Sequence, residues 1–306
     1  MSVKALTPET FEAKFRNPKV SGDEVVWASK VDGNWDVYRW KEWDIVNASN
    51  DPERQEKPSI SGSRIVWQHL DATGPGGGDW EIYYYNGVTM SPITSNESDD
   101  TNPVVSGAKV AWVGEDGIYL WDGTVTNISG ICSTCTAPAI SGSRVVWTAF
   151  DGNDGEIYQW DGVGITQITD NSIQDRDPSI AGKKVVWEGD LGIGSSSTEI
   201  FYWDGETIYQ VTNNQHTDSD PHISGSSIVW VGDENYDQIF RAQPLGGVPA
   251  MSPGILLVVA TSIGLLGFQL LSGGRRPRLP RRVRPPLRSP PDGREPSCVV
   301  MPDKTR

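Results

Sequence analysis

The sequence contains few cysteines, histidines and aliphatic residues, and these shortages exclude several classes of protein. Its 306 residues include three Cys and three His, and the one close Cys pair, Cys132 and Cys135, has no second pair to complete a typical zinc module, since Cys298 stands alone. Only 37% of the residues are hydrophobic, which does not suit a polytopic membrane protein. The 33 Gly and 13 Trp do not suit a coiled coil or a disordered polymer. A globular, β-rich protein remains, with one large domain or two small ones.

Basic residues are scarce in most of the chain. The net charge is −14, but residues 251–306 carry nine Arg and one Lys against three acids, so residues 1–250 carry −21. Nucleic-acid binding needs Lys and Arg to displace counterions from phosphates. The acidic body therefore predicts no nucleic-acid partner and favours cations or cationic partners.

Six copies of one pattern fill the acidic body. Each copy has a Pro, an Ile-Ser-Gly type turn and an apolar strand that ends in Trp; the clearest copies are residues 58–67, 138–147 and 178–187. The marker residues are Trp27, Trp67, Trp112, Trp147, Trp187 and Trp230. Their average spacing is about 41 residues, which is typical of a repeat architecture.

Each copy predicts four strands and no helix. After the Trp come a Gly- and Asp-rich loop, an aromatic strand, an Asp-Gly or Asn-Gly hairpin and a short last strand. Six such units predict an all-β, six-bladed β-propeller of four-stranded antiparallel blades over residues 1–247. The alternative is an open β-solenoid. Because the sixth copy lacks a fourth strand, we expect residues 3–7 to complete the last blade and close the ring.

These residues resemble the TolB-like and WD40-like six-bladed propeller repeats of bacterial envelope proteins. The matching pieces are Pro178, Gly182, residues 185–187, residues 199–202 and residues 211–212. The resemblance covers about residues 3–243. It implies the fold but not one function, since such propellers include translocation-associated binding proteins, non-catalytic propellers of peptidases and a few lyases.

A different composition follows the repeats. Residues 248–253 are predicted as a linker, 254–271 as one transmembrane helix about 27 Å long, and 272–306 as a disordered tail rich in Arg and Pro. The alternative for 254–271 is a buried core helix. The run and the Arg cluster after it also resemble a PEP-CTERM-type sorting signal. The predicted anchor residues are Ile255, Leu256, Leu257, Val258, Val259, Leu265, Leu266, Phe268, Arg275 and Arg276.

The Arg cluster predicts which side of the membrane the propeller occupies. Lys and Arg clusters stay cytoplasmic, so the propeller is expected on the periplasmic or extracellular side of a bacterial envelope. Residues 1–19 contain no apolar signal segment. Three explanations stay open: a true start upstream of Met1, insertion directed by the tail itself, or a cytosolic protein.

Two residue classes are candidates for chemistry besides the acids. Cys132 and Cys135 form one Cys-x-x-Cys, for which a local disulfide is predicted, with a redox-active pair as the alternative. The histidines are His69, His216 and His222, and they show no catalytic spacing. His222 is predicted at the start of an innermost strand, where it faces the central channel or the surface.

The acids concentrate in loops that open on one face of the predicted disc. Clustered carboxylates suit Ca²⁺, a hard ion that takes six to eight oxygens. The alternative is that these Asp residues cap turns and maintain solubility. The predicted metal ligands are Asp99, Asp100, Asp151, Asp154, Asp175, Asp177, Asp218 and Asp220. Ca²⁺ is the one cofactor suggested.

The sequence thus favours an envelope-anchored, non-catalytic binding or scaffold propeller, monomeric in its propeller part. Its acidic face is expected to recognise a protein, a glycan or a cation. The alternative is a polysaccharide lyase or hydrolase at the channel mouth, where Asp, Glu and His would have to converge. A third possibility is a degenerate gene product without activity.

Overall fold

The computed structural model describes residues 14–73, 77–132, 134–192, 198–233 and 237–243, and the backbone of residues 261 and 262. All of them lie within the compact unit Met1–Leu265. The described residues form strands, turns and bends without a helix. Among them, no segment forms a helix long and apolar enough to cross a membrane.

The described strands make six four-stranded antiparallel sheets, here called blades 1 to 6. Blades 1 to 3 contain β1 (Lys14–Ser21), β2 (Glu24–Val31), β3 (Asn34–Lys41), β4 (Asp44–Asn47), β5 (Gln55–Ser61), β6 (Arg64–Asp71), β7 (Asp79–Tyr85), β8 (Met90–Pro92), β9 (Thr101–Ser106), β10 (Lys109–Gly114), β11 (Gly117–Trp121) and β12 (Val125–Asn127). Blades 4 to 6 contain β13 (Thr136–Ser141), β14 (Arg144–Phe150), β15 (Gly155–Trp160), β16 (Ile165–Gln167), β17 (Gln174–Ala181), β18 (Lys184–Asp190), β19 (Thr198–Trp203), β20 (Ile208–Gln210), β21 (Asp218–Ser224), β22 (Ser227–Asp233), β23 (Asp237–Ala242) and β24 (Thr261–Ser262). The prediction of an all-β chain of four-stranded antiparallel blades is confirmed for the described residues.

The marker Trp residues hold each blade together internally. Each lies on the second strand directly opposite an aromatic residue of the third strand, as Trp187 lies opposite Phe201. The two rings stack with centroids 6.0 Å apart. The same stack recurs in all six blades, with separations from 5.7 to 6.3 Å. Aromatic cross-strand pairs stabilise sheets by both burial and ring contact.

The hydrophobic core is divided among the joints between consecutive blades. Between blades 4 and 5, Val146 and Ile157 of one blade pack with Ile180, Val185 and Trp187 of the next. Four further clusters occupy the other joints in the same way. Each sheet therefore buries its faces against its neighbours, as a β-propeller requires.

The repeated Ser-Gly turn also joins consecutive blades. At the joint of blades 3 and 4, the N–H of Gly142 donates to the hydroxyl of Ser106 at 2.9 Å. Gly142 has φ = 64°, a left-handed conformation that glycine adopts at little cost. The same bond recurs at three more joints. At the joint of blades 5 and 6, Ala181 replaces the serine.

Every first strand carries a β-bulge at the same place. The register against the second strand shifts there in all six blades. The bulge residues are Asn17, Lys57, Asn102, Ala137, Asp177 and Asp220, whose φ angles lie between 50° and 55°. Residues of all six first strands line one central cavity. The first strands therefore surround the axis of the propeller.

Several predicted segments lie outside the described residues. These are residues 3–7, the linker 248–253, the tail 272–306 and the segment 254–271 apart from residues 261 and 262. The position beside β23 in the last sheet is held by Thr261–Ser262. The predicted anchor residues and the resemblance to a sorting signal also fall on residues outside the described part.

Candidate functional site

The central cavity is the first candidate site. It has a volume of about 470 Å³, and its lining includes Lys19, Asp177, Asp220 and His222. Three of the bulge residues, Ala137, Asp177 and Asp220, line it. Asp177 and Asp220 in blades 5 and 6 are exposed, whereas Lys57 donates a hydrogen bond to Asn102 on the opposite side of the propeller. The bulge residues are thus acidic on one side only.

His222 lies in this cavity, as the prediction of a channel-facing histidine requires. Burial and the nearby Lys19 ammonium lower the pKa of His222, and Asp220 opposes them. The imidazole is therefore mainly neutral near pH 7. His69 and His216 belong to blades 2 and 6 and are not among the lining residues.

Three of the predicted metal ligands have a different role in the structure. Asp100, Asp175 and Asp218 are buried, and each accepts a hydrogen bond from the indole N–H of the Trp twelve residues later, at 2.7 to 2.9 Å. Each also accepts a bond from the side-chain amide of the Asn four residues earlier, at 2.7 to 2.8 Å. These three aspartates are structural parts of the blades.

The same network reaches the preceding blade through a buried glutamate. The main-chain N–H groups of Asn96, Asn171 and Asn214 donate to Glu81, Glu156 and Glu199 at 2.6 to 2.9 Å. Burial raises the pKa of all three glutamates, that of Glu156 to about 7. The Oε2 atom of each is buried and has no hydrogen-bond partner. Each of these joints therefore contains a carboxyl group that favours the protonated form.

Two other joints depart from this network. At the position of the buried aspartate, blade 4 has Cys135 and blade 2 has Gln55. Cys132 and Cys135 are joined by a disulfide, and Cys135 packs in the core with Trp147. Both cysteines and Asp151 line a second cavity of about 600 Å³. In blade 4 the disulfide therefore occupies the position at which blades 3, 5 and 6 have the hydrogen-bonded aspartate.

The other five predicted ligands are dispersed. Asp99 is exposed and accepts the main-chain N–H of Trp80 at 2.9 Å. Asp151 caps its own loop by accepting the N–H of Asn153 at 2.8 Å. Asp177 and Asp220 line the central cavity, and Asp154 is 9% exposed. The eight predicted carboxylates therefore do not form one metal site.

Two smaller groups of possible ligands occur among the described residues. Asp51, Glu53 and His69 form one, and Asp151, Glu156 and Asp170 form the other; in each group the ligand atoms lie within 4.8 Å of one another. Of these six residues, only Asp151 is among the ligands that the sequence predicts. Glu156 lies on a strand, and Asp170 is one of many acids that follow a strand. The available signal was Asp170 itself, since the equivalent residues after β8 and β20 are Ser95 and Asn213.

One face of the propeller is formed by the loops that join the second and third strands of each blade and by the loops that connect consecutive blades. Acidic side chains cover part of this face. In blades 3 to 6 these loops contain no Lys or Arg. We call their exposed acids, with those at the adjoining strand ends, the acidic sector: Glu97, Asp99, Glu115, Asp151, Asp170, Asp177, Asp220, Asp233 and Asp237. The same face of blades 1 and 2 carries both signs: Lys14, Arg16, Lys30, Arg54 and Lys57 lie there with Asp32, Asp51, Glu53 and Asp71. The part of the face whose loops lack basic residues is thus a sector, narrower than the predicted face.

One basic side chain lies at a strand end inside the acidic sector. Arg176 is on the first strand of blade 5, beside the bulge residue Asp177. Its guanidinium pairs with the buried carboxylate of Glu188 at 2.9 Å, so that charge is compensated within the blade. The sector therefore keeps its acidic character.

Comparison with known proteins shows the fold. No protein-family model matches the sequence, and no curated protein matches it. A structure from a study of two prolyl endopeptidases matches 82% of this chain and 42% of that chain, with 12% identity and a TM-score of 0.59. A puromycin-hydrolyzing peptidase of Mycobacterium tuberculosis matches 78% of this chain and 52% of that chain, with 13% identity and a TM-score of 0.54.

A putative TolB from Agrobacterium tumefaciens is also similar, over 65% of this chain and 79% of that chain, with 17% identity and a TM-score of 0.46. The chain spans about half the length of the two peptidase structures. At such identities the similarity concerns the fold and not the activity.

Proposed function

We propose that this propeller is a non-catalytic binding module that recognises a cationic protein segment through its acidic sector. The observation that supports the proposal is the uneven charge of the loop face. Nine exposed acids lie on blades 3 to 6, where the loops contain no Lys or Arg. Apart from the paired Arg176, the basic residues of that face lie on blades 1 and 2. On blades 1 and 2 the basic residues share that face with acidic residues, so a cationic ligand is attracted most strongly to blades 3 to 6, which orients it.

The turns at the opposite ends of the blades lack this asymmetry. There, Lys109 pairs with Asp122 at 3.2 Å and Lys183 with Glu206 at 4.0 Å. Acids and bases alternate on that side, so the field they produce largely cancels beyond about one Debye length, roughly 10 Å at moderate salt. Recognition of a cationic partner is therefore assigned to the loop face.

Binding of a fluorescein-labelled oligolysine to the full-length chain tests the proposal. A variant that neutralises Glu97, Asp177, Asp220 and Asp233 as Gln or Asn should lose about tenfold or more in affinity at low salt. The matched control neutralises Asp23, Asp122, Asp161 and Asp204 in the opposite turns and changes the net charge equally. It should lose less than about threefold. Equal losses in the two variants would mean that only total charge matters and would overturn the proposal.

A second candidate function is hydrolysis or elimination of a polysaccharide in the central cavity. One observation favours it: Lys19, Asp177, Asp220 and His222 line the same cavity. A neutral imidazole beside carboxylates is suited to general acid–base work. The test is release of reducing or unsaturated ends from uronate-containing and neutral polysaccharides. Activity that is lost in His222→Ala and kept in His216→Ala would support an enzyme; inactivity of the unmodified chain would refute it.

We further propose that the propeller works outside the cytoplasm. The Cys132–Cys135 disulfide supports an oxidising compartment. Thr261–Ser262 pair with β23 in the last sheet, so an anchoring helix over residues 254–271 is not part of this proposal. Protease added to intact spheroplasts should degrade the propeller, and protection until lysis would contradict this location.

A further inference from the structure

The joint of blades 4 and 5 contains a group of carboxylates without a positive partner. Asp151 follows β14, Glu156 lies on β15 and Asp170 follows β16, and their ligand oxygens lie within 4.8 Å of one another. Residues 145–175 contain no Lys, Arg or His. Within the described residues, none of the three carboxylates pairs with a basic side chain.

Glu156 brings a buried oxygen without a hydrogen-bond partner to this joint. Its side chain is fully buried, its Oε1 accepts the N–H of Asn171 at 2.7 Å, and its Oε2 has no partner. The neighbouring Asp154 also has a buried Oδ1 without a partner. A buried carboxylate oxygen without a donor is costly, because desolvation is not compensated. Such an oxygen is expected to bind either a proton or a cation.

The other group of possible ligands lacks this property. His69 lies 3.1 Å from Glu53 through Nε2, and the side-chain amide of Gln55 lies 3.2 Å from Nδ1 of the same ring. These residues satisfy one another, so a metal ion would have to displace existing bonds.

Equivalent glutamates in other blades provide an internal comparison. Glu81 and Glu199 have the same burial, the same bond to an Asn N–H and the same unpartnered Oε2 as Glu156. Neither belongs to a group of three ligands among the described residues. Serine and asparagine stand where blade 4 has Asp170. The exposed carboxylate of Asp170 is therefore the feature that distinguishes this joint.

We propose that Asp151, Glu156 and Asp170 bind a divalent cation, and that the cation is Ca²⁺. The three ligands are carboxylate oxygens with no nitrogen or sulfur among them, which is the chemistry that Ca²⁺ prefers. Two of the three residues are exposed, so water can complete the coordination. The ion connects the β14–β15 loop to the segment that leads into blade 5. This inference goes beyond the proposed function and does not depend on it.

Calorimetric titration of the full-length chain with Ca²⁺, together with thermal unfolding, tests the inference. Ca²⁺ at millimolar concentration should raise the unfolding midpoint, and EDTA should reverse the rise, because a ligand of the folded state stabilises it by mass action. Asp170→Asn should reduce Ca²⁺ affinity about tenfold or more. Because Asp170 is exposed, this variant should fold normally. Glu156→Gln should show the same loss.

The matched control is Glu199→Gln, which changes the equivalent glutamate at a joint without the third ligand. It should bind Ca²⁺ like the unmodified chain. Three results would overturn the inference: no binding by the unmodified chain, unchanged affinity in Asp170→Asn, or an equal loss in Glu199→Gln. The first would mean that the Glu156 oxygen holds only a proton. Because none of these substitutions is in the variant that tests oligolysine binding, the two proposals can fail separately.

Discussion

The indole N–H of Trp187 donates a hydrogen bond of 2.8 Å to Oδ1 of Asp175, a residue of the neighbouring strand of the same blade. Both residues are buried. Asp175 also accepts the amide of Asn171, which in turn contacts Glu156 of the preceding blade. One aspartate thus joins the interior of its own blade to the blade before it.

The hydrogen bond between Trp187 and Asp175 predicts that equivalent tryptophans lose different amounts of stability when each is replaced by Phe. In blade 2, Trp67 is equally buried, but its Nε1 has no partner among the described residues. Trp187→Phe leaves Oδ1 of the buried Asp175 without its donor, whereas Trp67→Phe removes an unsatisfied group. Trp187→Phe should therefore cost about 1 to 3 kcal/mol more in free energy of unfolding. Urea denaturation of both variants measures the difference; equal losses would show that the bond contributes nothing.

Stability should decrease as the solution becomes more alkaline. Burial raises the pKa of Glu81 and Glu199 above 4.5 in the folded chain, with nearby Asp79, Asp100 and Asp218 adding to the effect and His216 opposing it. Above pH 4.5 the folded chain therefore holds more protons on these groups than the unfolded chain, so the free energy of unfolding falls with rising pH. The loss is complete once the pH exceeds the folded pKa values.

Urea denaturation at about pH 5 and about pH 8 measures this pH dependence. The double variant Glu81→Gln, Glu199→Gln should show a weaker dependence than the unmodified chain, because the amide does not titrate. An unchanged dependence in the double variant would contradict the assignment to these two glutamates.

The disulfide should contribute modestly to stability. Cys132 and Cys135 close a loop of only a few residues, for which loop-closure entropy gives about 2 kcal/mol. The variant Cys132→Ser, Cys135→Ser should lose about that amount, and a reductant should lower the unfolding midpoint of the unmodified chain alone. The control is Cys298→Ser, which leaves the pair intact. A reductant effect that persists in the double variant would have another origin.

Ala137 should be the least favourable of the six bulge residues. Its φ of 50° lies in the left-handed region, which Asn adopts more easily than Ala. Ala137→Asn should therefore raise the free energy of unfolding by about 0.5 to 1 kcal/mol. Thermal unfolding measures the gain, with Ala139→Asn two residues along the same strand as the comparison. A loss in Ala137→Asn would mean that the new side chain clashes in the cavity.

The fold was predictable from the sequence because its signals repeat. The marker Trp, the Ser-Gly turn and the hairpin dipeptides occur in nearly every copy. A copy with a weak pattern can therefore be assigned by comparison with the others. The pairing of the last strand was not predictable, since two-residue β24 carries no pattern of its own. Thr261 pairs with Arg241 although the predicted partner was the segment 3–7.

The candidate sites were harder to predict because a sequence pattern does not show which way a carboxylate faces. Asp99 and Asp100 are neighbours, yet one is exposed and the other binds Trp112 in the interior. Glu156 and Asp170 are fourteen residues apart and meet only because β15 and β16 pair. The sequence therefore shows which acids follow the strands, while their division into structural and available groups required the fold.

Three of the bulges place residues of different chemistry around the same cavity. Ala137, Asp177 and Asp220 line it, and none of the six bulge residues belongs to the hydrophobic core. Asparagine, lysine, alanine and aspartate already occupy the six bulge positions in one chain. Substitution at the three lining positions by residues that accept a positive φ is therefore expected to change which ligands the cavity accepts while the packing between the blades stays the same.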